Sequence, residues 1–360
     1  MKVRTRVSAP SVESSKCNCY SLPQIWLLAL LVFLLSFCSR PVACQDAVVL
    51  VGSGSSVPSP LYNRWGQEYG KRNPKIQMRY LPVGTSEGIK QISHGAGDFG
   101  AGESRLTDAE RKDGGLIELP AVLIGIVPIY NLPDAHREIR LSGEVLAEIF
   151  LGEVKTWDAP SIAKINPLAS LPNVQIRVIN RPAGKGSNYV FTDFLSKVSS
   201  KFRAQIGVTA SPKWPVGVPA ERSSDMVDKV KSEIGAIGFV EAQYAVKANL
   251  PTVAVLNPAG KYVKASAESI AAACQAVEAP RWNSFAASLT NASGADSFPI
   301  ASFSWIYLKT SSSDAARAEG MHDLLDWIYS EGQQFAAQEG YSELPSPLLV
   351  EVRKKVRQLR

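Results

Sequence analysis

The sequence predicts an α/β fold built of two domains, and two features of the chain lead to this prediction. Short apolar runs typical of strands alternate with segments of helical spacing, as in sheets whose strands are connected by helices. Two long apolar segments, residues 116–131 and 298–308, suit extended crossings between domains. The crossings divide the chain into domain I, residues 45–126 plus 303–360, and an inserted domain II, residues 127–302.

The N-terminal segment, residues 1–44, is predicted to be a signal peptide. Residues 1–24 are polar and basic, and residues 25–37 are apolar except for a single serine. This apolar run is shorter than the ~18 residues of a spanning helix and fits the core of a signal peptide. Small residues at 42–44 offer a cleavage site before Gln45. We therefore expect a secreted, extracytoplasmic protein, in the periplasm or at the cell surface. An uncleaved membrane anchor through residues 25–37 is the alternative.

Most of the net positive charge lies in this leader. The chain has 39 Lys and Arg against 33 Asp and Glu, a formal charge of +6. The leader holds five of the basic residues and one of the acidic ones, which leaves 34 against 32, or +2, for the rest. A nearly neutral body predicts no nucleic-acid partner.

Cysteines and histidines are distributed in a way that predicts neither a disulfide framework nor a metal site. Cys274 is the one cysteine outside the leader, in a run of small residues that suits a packed helix. The others are Cys17, Cys19, Cys38 and Cys44. His94, His136 and His322 do not stand in metal-ligand spacing. No dinucleotide or phosphoryl-transfer motif is complete, so we expect no cofactor and no catalytic residue.

Three stretches place glycine and hydroxyl residues where a helix should begin, directly after a strand. They are residues 52–58, 84–88 and 181–188, and the third follows a strand predicted at residues 174–179. At the end of the first stretch, Pro58 suits the first position of a helix whose apolar residues, at helical spacing, are Leu61, Tyr62, Trp65 and Tyr69. Such a turn directs free backbone N–H groups and the positive end of a helix at one spot, which suits an anion. Hydroxyl residues at these positions also cap ordinary helices. Because there are three such stretches, and one carries Arg181 and Lys185, the sequence predicts convergence on one oxyanion.

In the combination of its motifs, the chain resembles the phosphate-binding proteins of bacterial phosphate ABC importers, which are type 2 periplasmic binding proteins. The resemblance runs from about residue 48 to about residue 356. Its motifs lie at residues 52–58, 84–88, 98–101, 149–157, 181–187, 213–217 and 235–241. The resemblance implies two domains joined by two crossings, with a cleft that closes over inorganic phosphate. It also implies a monomer that works with the membrane component of an importer.

The resemblance further implies which groups hold the anion. They are the hydroxyls of Ser56, Thr85 and Ser187, the backbone N–H groups of Val57 and Gly186, and the guanidinium of Arg181. Glu103 would accept the proton of hydrogen phosphate. Sulfate has no such proton and would leave a buried carboxylate facing an anion, so the site would discriminate between the two.

Three residues depart from the pattern of this family. Glu103 replaces an aspartate, Lys185 replaces a serine, and Ala183 replaces the acid that braces the arginine. These changes make the pocket region more positive than is usual in the family, and leave discrimination from sulfate and arsenate open. Three arrangements are open for Lys185: it binds the anion, pairs with Glu103, or points to solvent.

The sequence therefore predicts a non-enzymatic protein that captures phosphate by hinge closure, for uptake or scavenging. The first alternative is a weak phosphomonoesterase with Ser56, Thr85 or Ser187 as nucleophile. The second is an interaction module that has lost anion binding. Asn291, followed by Ala and Ser, begins an N-glycosylation sequon.

Overall fold

A computed structural model describes residues 47–133, 137–277, 287–311 and 314–359 of the chain. They all belong to the unit Ala47–Arg360. The predicted leader, with its apolar run and four cysteines, lies outside the described residues, as does His136. Within the described ranges, no helix has both the length and the apolar character to cross a membrane.

Eight of the eleven described strands form one mixed sheet. The strands are β1 (Val48–Gly54), β2 (Ile76–Leu81), β3 (Phe99–Gly102), β4 (Leu116–Tyr130), β5 (Arg140–Leu141), β6 (Arg177–Asn180), β7 (Val218–Pro219), β8 (Ala236–Glu241), β9 (Ala254–Leu256), β10 (Tyr262–Val263) and β11 (Ala301–Lys309). The order in the large sheet is β2-β1-β3-β11-β4-β8-β6-β7, and β10-β9-β5 form a smaller sheet. This alternation confirms the predicted α/β class.

Helices connect most of these strands. They are α1 (Ser59–Arg72), α2 (Thr85–Ser93), α3 (Asp108–Lys112), α4 (Gly143–Phe150), α5 (Pro160–Ala163), α6 (Gly186–Val198), α7 (Ser200–Gln205), α8 (Ser223–Ser232), α9 (Ala242–Lys247), α10 (Ala267–Gln275), α11 (Ala315–Trp327), α12 (Gln334–Gln338) and α13 (Ser346–Arg357). A π-helical turn, Ile328–Gly332, follows α11. Cys274 is buried in α10, as its small neighbours predict.

Strand β4 joins the two halves of the large sheet. Its residues 116–125 pair with β11, and its residues 126–130 pair with β8. All but one of its fifteen residues are buried, as expected of a strand covered on both faces. A register shift next to Pro120 leaves Ala121 as an extra residue, which is how a strand accommodates a missing N–H. β4 is the segment predicted as the first crossing.

Strand β11 returns the chain to the half of the sheet that β1 begins. It pairs antiparallel with β3 and β4, whereas β1 pairs parallel with β2 and β3. The C-terminal part of the chain thus completes the N-terminal half, as predicted from the second apolar segment. The residue limits given above for domains I and II stay a prediction. Below, the names domain I and domain II refer to these two sets of residues, which contain the two halves of the large sheet.

Each half of the sheet has its own aromatic cluster. In domain I, Tyr62 stacks on Tyr80 with ring centroids 4.7 Å apart, and Tyr80 stacks on Phe99 at 6.1 Å. In domain II, Phe191 stacks on Phe239 at 4.2 Å. Such pairs each contribute about 0.5–1.5 kcal/mol beyond the burial of their area.

Two boundaries differ from the sequence prediction. Pro58 occupies the N-cap of α1 and not its first position, so the helix begins one residue later, at Ser59. The predicted strand 174–179 begins only at Arg177, because residues 174–176 bond to the chain at 155–157 instead. The predicted inward face of α1 is confirmed, since the buried residues are Leu61, Tyr62, Trp65 and Tyr69.

Candidate functional site

The three loops with anion-type sequences meet at the ends of strands from both domains. The amide of Gly84 donates a hydrogen bond to the carbonyl of Gly54 at 2.7 Å, which joins the loop after β1 to the start of α2. The amide of Ser86 donates to the carbonyl of Gly184 at 3.3 Å, which joins α2 to the loop before α6. The first residues of two helices, one from each domain, therefore lie side by side.

The carboxylate of Glu103 lies at the centre of this junction and is only 1% exposed. Its Oε2 accepts a hydrogen bond from Thr85 Oγ1 at 3.1 Å, and its Oε1 accepts one from Ser304 Oγ at 3.5 Å. The side chain of Ser55 also bonds to this carboxylate. A Cβ placed on Gly186 would lie 1.7 Å from Oε2 and 2.5 Å from Thr85 Oγ1. Domain II thus packs its helix start directly against the carboxylate of domain I.

The surroundings of Glu103 favour its protonated form. Burial is the main cause that raises the pKa of Glu103 to about 8, and the negative charge of Glu241 raises it further. The hydrogen bonds from Ser55, Thr85 and Ser304 oppose the shift without cancelling it. In the ligand-free site, Glu103 is therefore a neutral carboxylic acid at neutral pH, able to donate a hydrogen bond as well as accept one.

The raised pKa of Glu103 predicts how the stability of the folded protein depends on pH. Because the pKa of Glu103 rises from an ordinary 4.5 to about 8, folding loses stability as the pH rises through that window. The loss amounts to about 1.4 kcal/mol per pH unit. We expect Glu103→Gln to unfold at the same temperature as the wild type near pH 4.5, and at a progressively higher one up to pH 8. Thermal unfolding of the ligand-free proteins measures this difference.

The control is Glu87→Gln, which changes the same group on the surface of α2, where the side chain is 45% exposed. Its unfolding temperature should follow that of the wild type at every pH. Parallel curves for Glu103→Gln and the wild type would show that Glu103 is not neutral in the folded protein.

Arg181 brings an almost unpaired positive charge into the site. It follows β6 and is 2% exposed, and within the described ranges its guanidinium makes one weak hydrogen bond, from Nη1 to the carbonyl of Ala220 at 3.4 Å. Its Nε has no partner among the described residues. The Trp214 indole N–H holds the backbone of Arg181 by donating to its carbonyl at 3.1 Å. Ala183, where the family carries an acid, supplies no counter-charge, so the guanidinium keeps donors for a ligand.

The start of α6 contributes further donors. Ser187 is 1% exposed, and its Oγ has no hydrogen-bond partner within the part of the chain described. Asn188 braces the preceding loop, since its Nδ2 donates to the carbonyls of Pro182 at 2.7 Å and Ala210 at 3.1 Å. Buried donors without partners are rare in folded proteins. Ser187 and Arg181 therefore point to a ligand that accepts hydrogen bonds.

Two other predicted ligands are placed differently. Ser56 is only half-buried, and the buried serine next to it, Ser55, is the one that bonds to Glu103. The Val57 amide donates to Ser55 Oγ at 3.1 Å, while the Val57 carbonyl accepts from the Tyr341 hydroxyl at 2.7 Å. As ligands, Ser56 and Val57 therefore stay predictions.

Lys185 adopts an arrangement outside the three that the sequence left open. Its Nζ lies 3.4 Å from Oε2 of Glu221, a residue whose side chain is 69% exposed. Both residues belong to domain II, so the pair does not bridge the cleft. Because Glu221 is exposed, the ion pair lies at the rim of the site, where solvent weakens its interactions.

Asn291 lies on a turn of domain II. It is half-buried, has a left-handed φ of 57°, and its amide donates to the carbonyl of Pro299 at 2.7 Å. Asparagine tolerates this conformation better than most residues. Glycosylation of Asn291 stays a prediction.

Sequence reasoning missed three residues of the site: Ser55, Ser304 and Glu241. Ser55 lies within the first predicted loop. Ser304 is a fully buried serine within the second apolar crossing, and Glu241 ends the motif at residues 235–241. A hydroxyl or a carboxylate within an otherwise apolar strand is a signal that could have identified Ser304 and Glu241.

Comparison with known proteins gives one consistent result. A family model described as a PBP superfamily domain matches residues 41–332. The phosphate-binding protein PstS of Xylella fastidiosa is 32% identical over 307 residues, covering 85% of this chain and 84% of that protein. PstS of Haemophilus influenzae is 32% identical over 324 residues, covering 90% and 96%.

A solved structure extends the likeness to the fold. It is that of a high-affinity periplasmic phosphate-binding protein, determined at subatomic resolution with phosphate bound at pH 8.5. It superposes with a TM-score of 0.68 at 20% identity, covering 85% of this chain and 93% of that one. At this identity, the likeness concerns the two-domain α/β architecture.

Proposed function

The chain belongs to the phosphate-binding proteins of the PBP superfamily, and on that basis we propose that it captures inorganic phosphate between domains I and II. It then delivers the anion to the membrane component of an importer. The predicted signal peptide, residues 1–44, supports a place outside the cytoplasm, where such a protein serves uptake or scavenging.

One observation carries this proposal: buried hydrogen-bonding groups without partners lie where the domains meet. Arg181 Nε and Ser187 Oγ are donors without acceptors among the described residues. Glu103, on the opposite side of the junction, can accept or donate. A hydrogen phosphate ion offers oxygens to the donors and a proton to the carboxylate. It therefore matches the chemistry of the groups that surround it.

The cleft is expected to close over the ligand because residues of both domains contribute to the site. Thr85 and Glu103 belong to domain I, whereas Arg181, Gly186 and Ser187 belong to domain II. A ligand that contacts both sets stabilises the closed arrangement over the open one. The Ser86 amide already bonds to the Gly184 carbonyl across the junction, at 3.3 Å, so closure adds protein contacts to those of the ligand.

The two alternatives receive less support. A phosphomonoesterase would need a base beside its nucleophile, and burial raises the pKa of the carboxyl next to Thr85 to about 8, which disfavours the ionised form that a base needs at neutral pH. An interaction module without a ligand would be favoured by a lysine salt bridge that seals the cleft. Lys185 instead pairs with Glu221 within its own domain. We therefore propose a non-enzymatic binding protein.

Calorimetric titration of the ligand-stripped protein with phosphate and then sulfate, from pH 6 to pH 9, tests this function. We expect phosphate to bind throughout, because it supplies its own proton to an ionised Glu103. Sulfate should bind only while Glu103 is protonated, and lose about tenfold in affinity for each pH unit above about 8. A well-folded protein that is not stabilised by millimolar phosphate would contradict the proposal.

A further inference from the structure

The guanidinium of Arg181 is buried in the site but is weakly anchored by its own contacts. Within the described ranges, its one hydrogen bond is the weak one to the Ala220 carbonyl, at 3.4 Å. A ligand-binding side chain needs support from the residues around it to keep a fixed geometry. The position of the guanidinium therefore depends on how the backbone of residues 181–185 is held.

One buried side chain, the amide of Asn188, holds the start of this loop. Asn188 is fully buried and lies in the first turn of α6. Its Nδ2 donates to the carbonyls of Arg181 at 3.3 Å, Pro182 at 2.7 Å and Ala210 at 3.1 Å. Three carbonyl oxygens around one side-chain atom identify that atom as the nitrogen, because an amide oxygen could not bond to any of them.

The same carbonyls receive further donors, which join the loop to its neighbours. The Trp214 indole N–H also donates to the Arg181 carbonyl, at 3.1 Å. The Gly184 amide also donates to the Ala210 carbonyl, at 2.9 Å. The loop, residue 210 and the indole therefore form one hydrogen-bonded unit, and Asn188 bonds to both of the shared carbonyls.

Asn188 thereby fixes Arg181 relative to the first turn of α6. This helix begins at Gly186, and the next residue, Ser187, has a buried Oγ without a partner in the described part of the chain. Asn188 follows Ser187 directly, and its side chain reaches back to the residue that carries the guanidinium. A displacement of Arg181 away from the helix start would break this bond. The two sets of donors are therefore held in one arrangement.

We propose that Asn188 is a positioning residue, whose amide holds Arg181 where its guanidinium and the start of α6 contact the same phosphate ion. The proposal rests on the proposed function. Asn188 is not itself a ligand in this account, because its Nδ2 faces carbonyls and its unpartnered Oδ1 is an acceptor, which suits no anion. Charge-assisted hydrogen bonds depend on distance and angle, so a displaced guanidinium binds phosphate more weakly.

The test is a double-mutant cycle between Asn188 and Arg181. Asn188→Ala is expected to weaken phosphate binding about thirtyfold, which is part of the roughly thousandfold loss expected without the guanidinium. In Arg181→Met there is no guanidinium to position, so the same substitution should weaken binding by less than about threefold. NMR titration with phosphate into the millimolar range measures both steps. Equal factors in the two backgrounds would show a merely structural role and overturn the inference.

Asn257→Ala is the matched control for loss of a buried amide. Asn257 is 4% exposed, belongs to domain II, and its Nδ2 also donates to three carbonyls, those of Gly294, Ala295 and Ser297. This variant should unfold at a lower temperature and keep phosphate affinity within about twofold of the wild type. A loss of affinity as large as that of Asn188→Ala would count against a specific role for Asn188.

A second variant covers the case in which Asn188→Ala does not fold. Asn188→Ser keeps one donor on a shorter side chain, and it takes the place of Asn188→Ala in the cycle. We expect a smaller loss of phosphate affinity that again disappears in Arg181→Met. A loss that persists there would overturn the inference.

Failure of the proposed function would be visible separately, because the wild type would then bind no phosphate. Crystal structures of the ligand-free wild type and of Asn188→Ala decide the role of Asn188 in that case. Displacement of Arg181 relative to α6 in the variant would support positioning by Asn188. An Arg181 that superposes on its wild-type position would overturn it.

Discussion

Replacement of Arg181 by methionine is expected to weaken phosphate binding about a thousandfold. The guanidinium is 2% exposed and its Nε has no partner among the described residues, so its donors remain available to the anion. Charge-assisted hydrogen bonds are worth about 2 kcal/mol each, and about 1.4 kcal/mol corresponds to a factor of ten in affinity. Loss of two such bonds gives the expected effect. Calorimetric titration with phosphate at neutral pH measures it.

Two control substitutions test whether the effect depends on the buried position of the positive charge of Arg181. Arg177→Met removes an exposed arginine from β6, the strand that Arg181 follows; its side chain is 55% exposed and pairs with Glu233. Lys185→Met removes the rim charge that pairs with Glu221. Both should change phosphate affinity by less than about fivefold, because solvent screens exposed charges. If Arg181→Met remained within tenfold of the wild type while folded, Arg181 would not be a ligand.

Gly186→Ala is expected to weaken phosphate binding by about a hundredfold or more. A Cβ at this position would lie 1.7 Å from Oε2 of Glu103 and 2.5 Å from Oγ1 of Thr85, both across the domain junction. Overpacking of a closed interface costs about 1–3 kcal/mol, and here it falls on the closed state. The open state has no such contact, so closure and the phosphate-dependent rise in unfolding temperature should both be lost.

A second substitution tests the cause of this effect. Glu103→Asp withdraws the carboxylate by one methylene and should restore part of the affinity when combined with Gly186→Ala. The matched control is Gly320→Ala in α11, where a Cβ meets its nearest atom at 3.4 Å and should leave binding unchanged. Gly186→Ala protein that bound phosphate like the wild type would show that α6 does not approach Glu103 when the cleft closes.

Much of the fold could be predicted because its signals are local. The 3.6-residue spacing of Leu61, Trp65 and Tyr69 defines the inner face of α1 without knowledge of its partners. The apolar character of β4 likewise indicates a strand buried on both faces. The start of β6 could not be predicted, because residues 174–176 bond to the chain at 155–157. This pairing is set by the tertiary structure.

Residues of the helix-start motifs could be brought together from the sequence, but Ser304, which lies within a strand, was missed. Thr85 and Gly186 were found from their loops and meet in the structure. Ser304 bonds to Glu103 although the two are 201 residues apart in the chain. Only the antiparallel pairing of β11 with β3, which sets Trp305 opposite Gly102, brings that serine to the carboxylate.

The sequence by itself determined an α/β fold of two domains and three helix starts suited to an anion, because these follow from short-range spacing and residue type. The roles of Arg181 and Glu103 as ligands were implied by the resemblance to a family and stay predictions. Only the tertiary structure decided that Lys185 faces Glu221 at the rim, and that the pKa of Glu103 is raised to about 8. Protonation depends on desolvation and on the charge of Glu241, and both arise only when distant strands close over the same carboxylate.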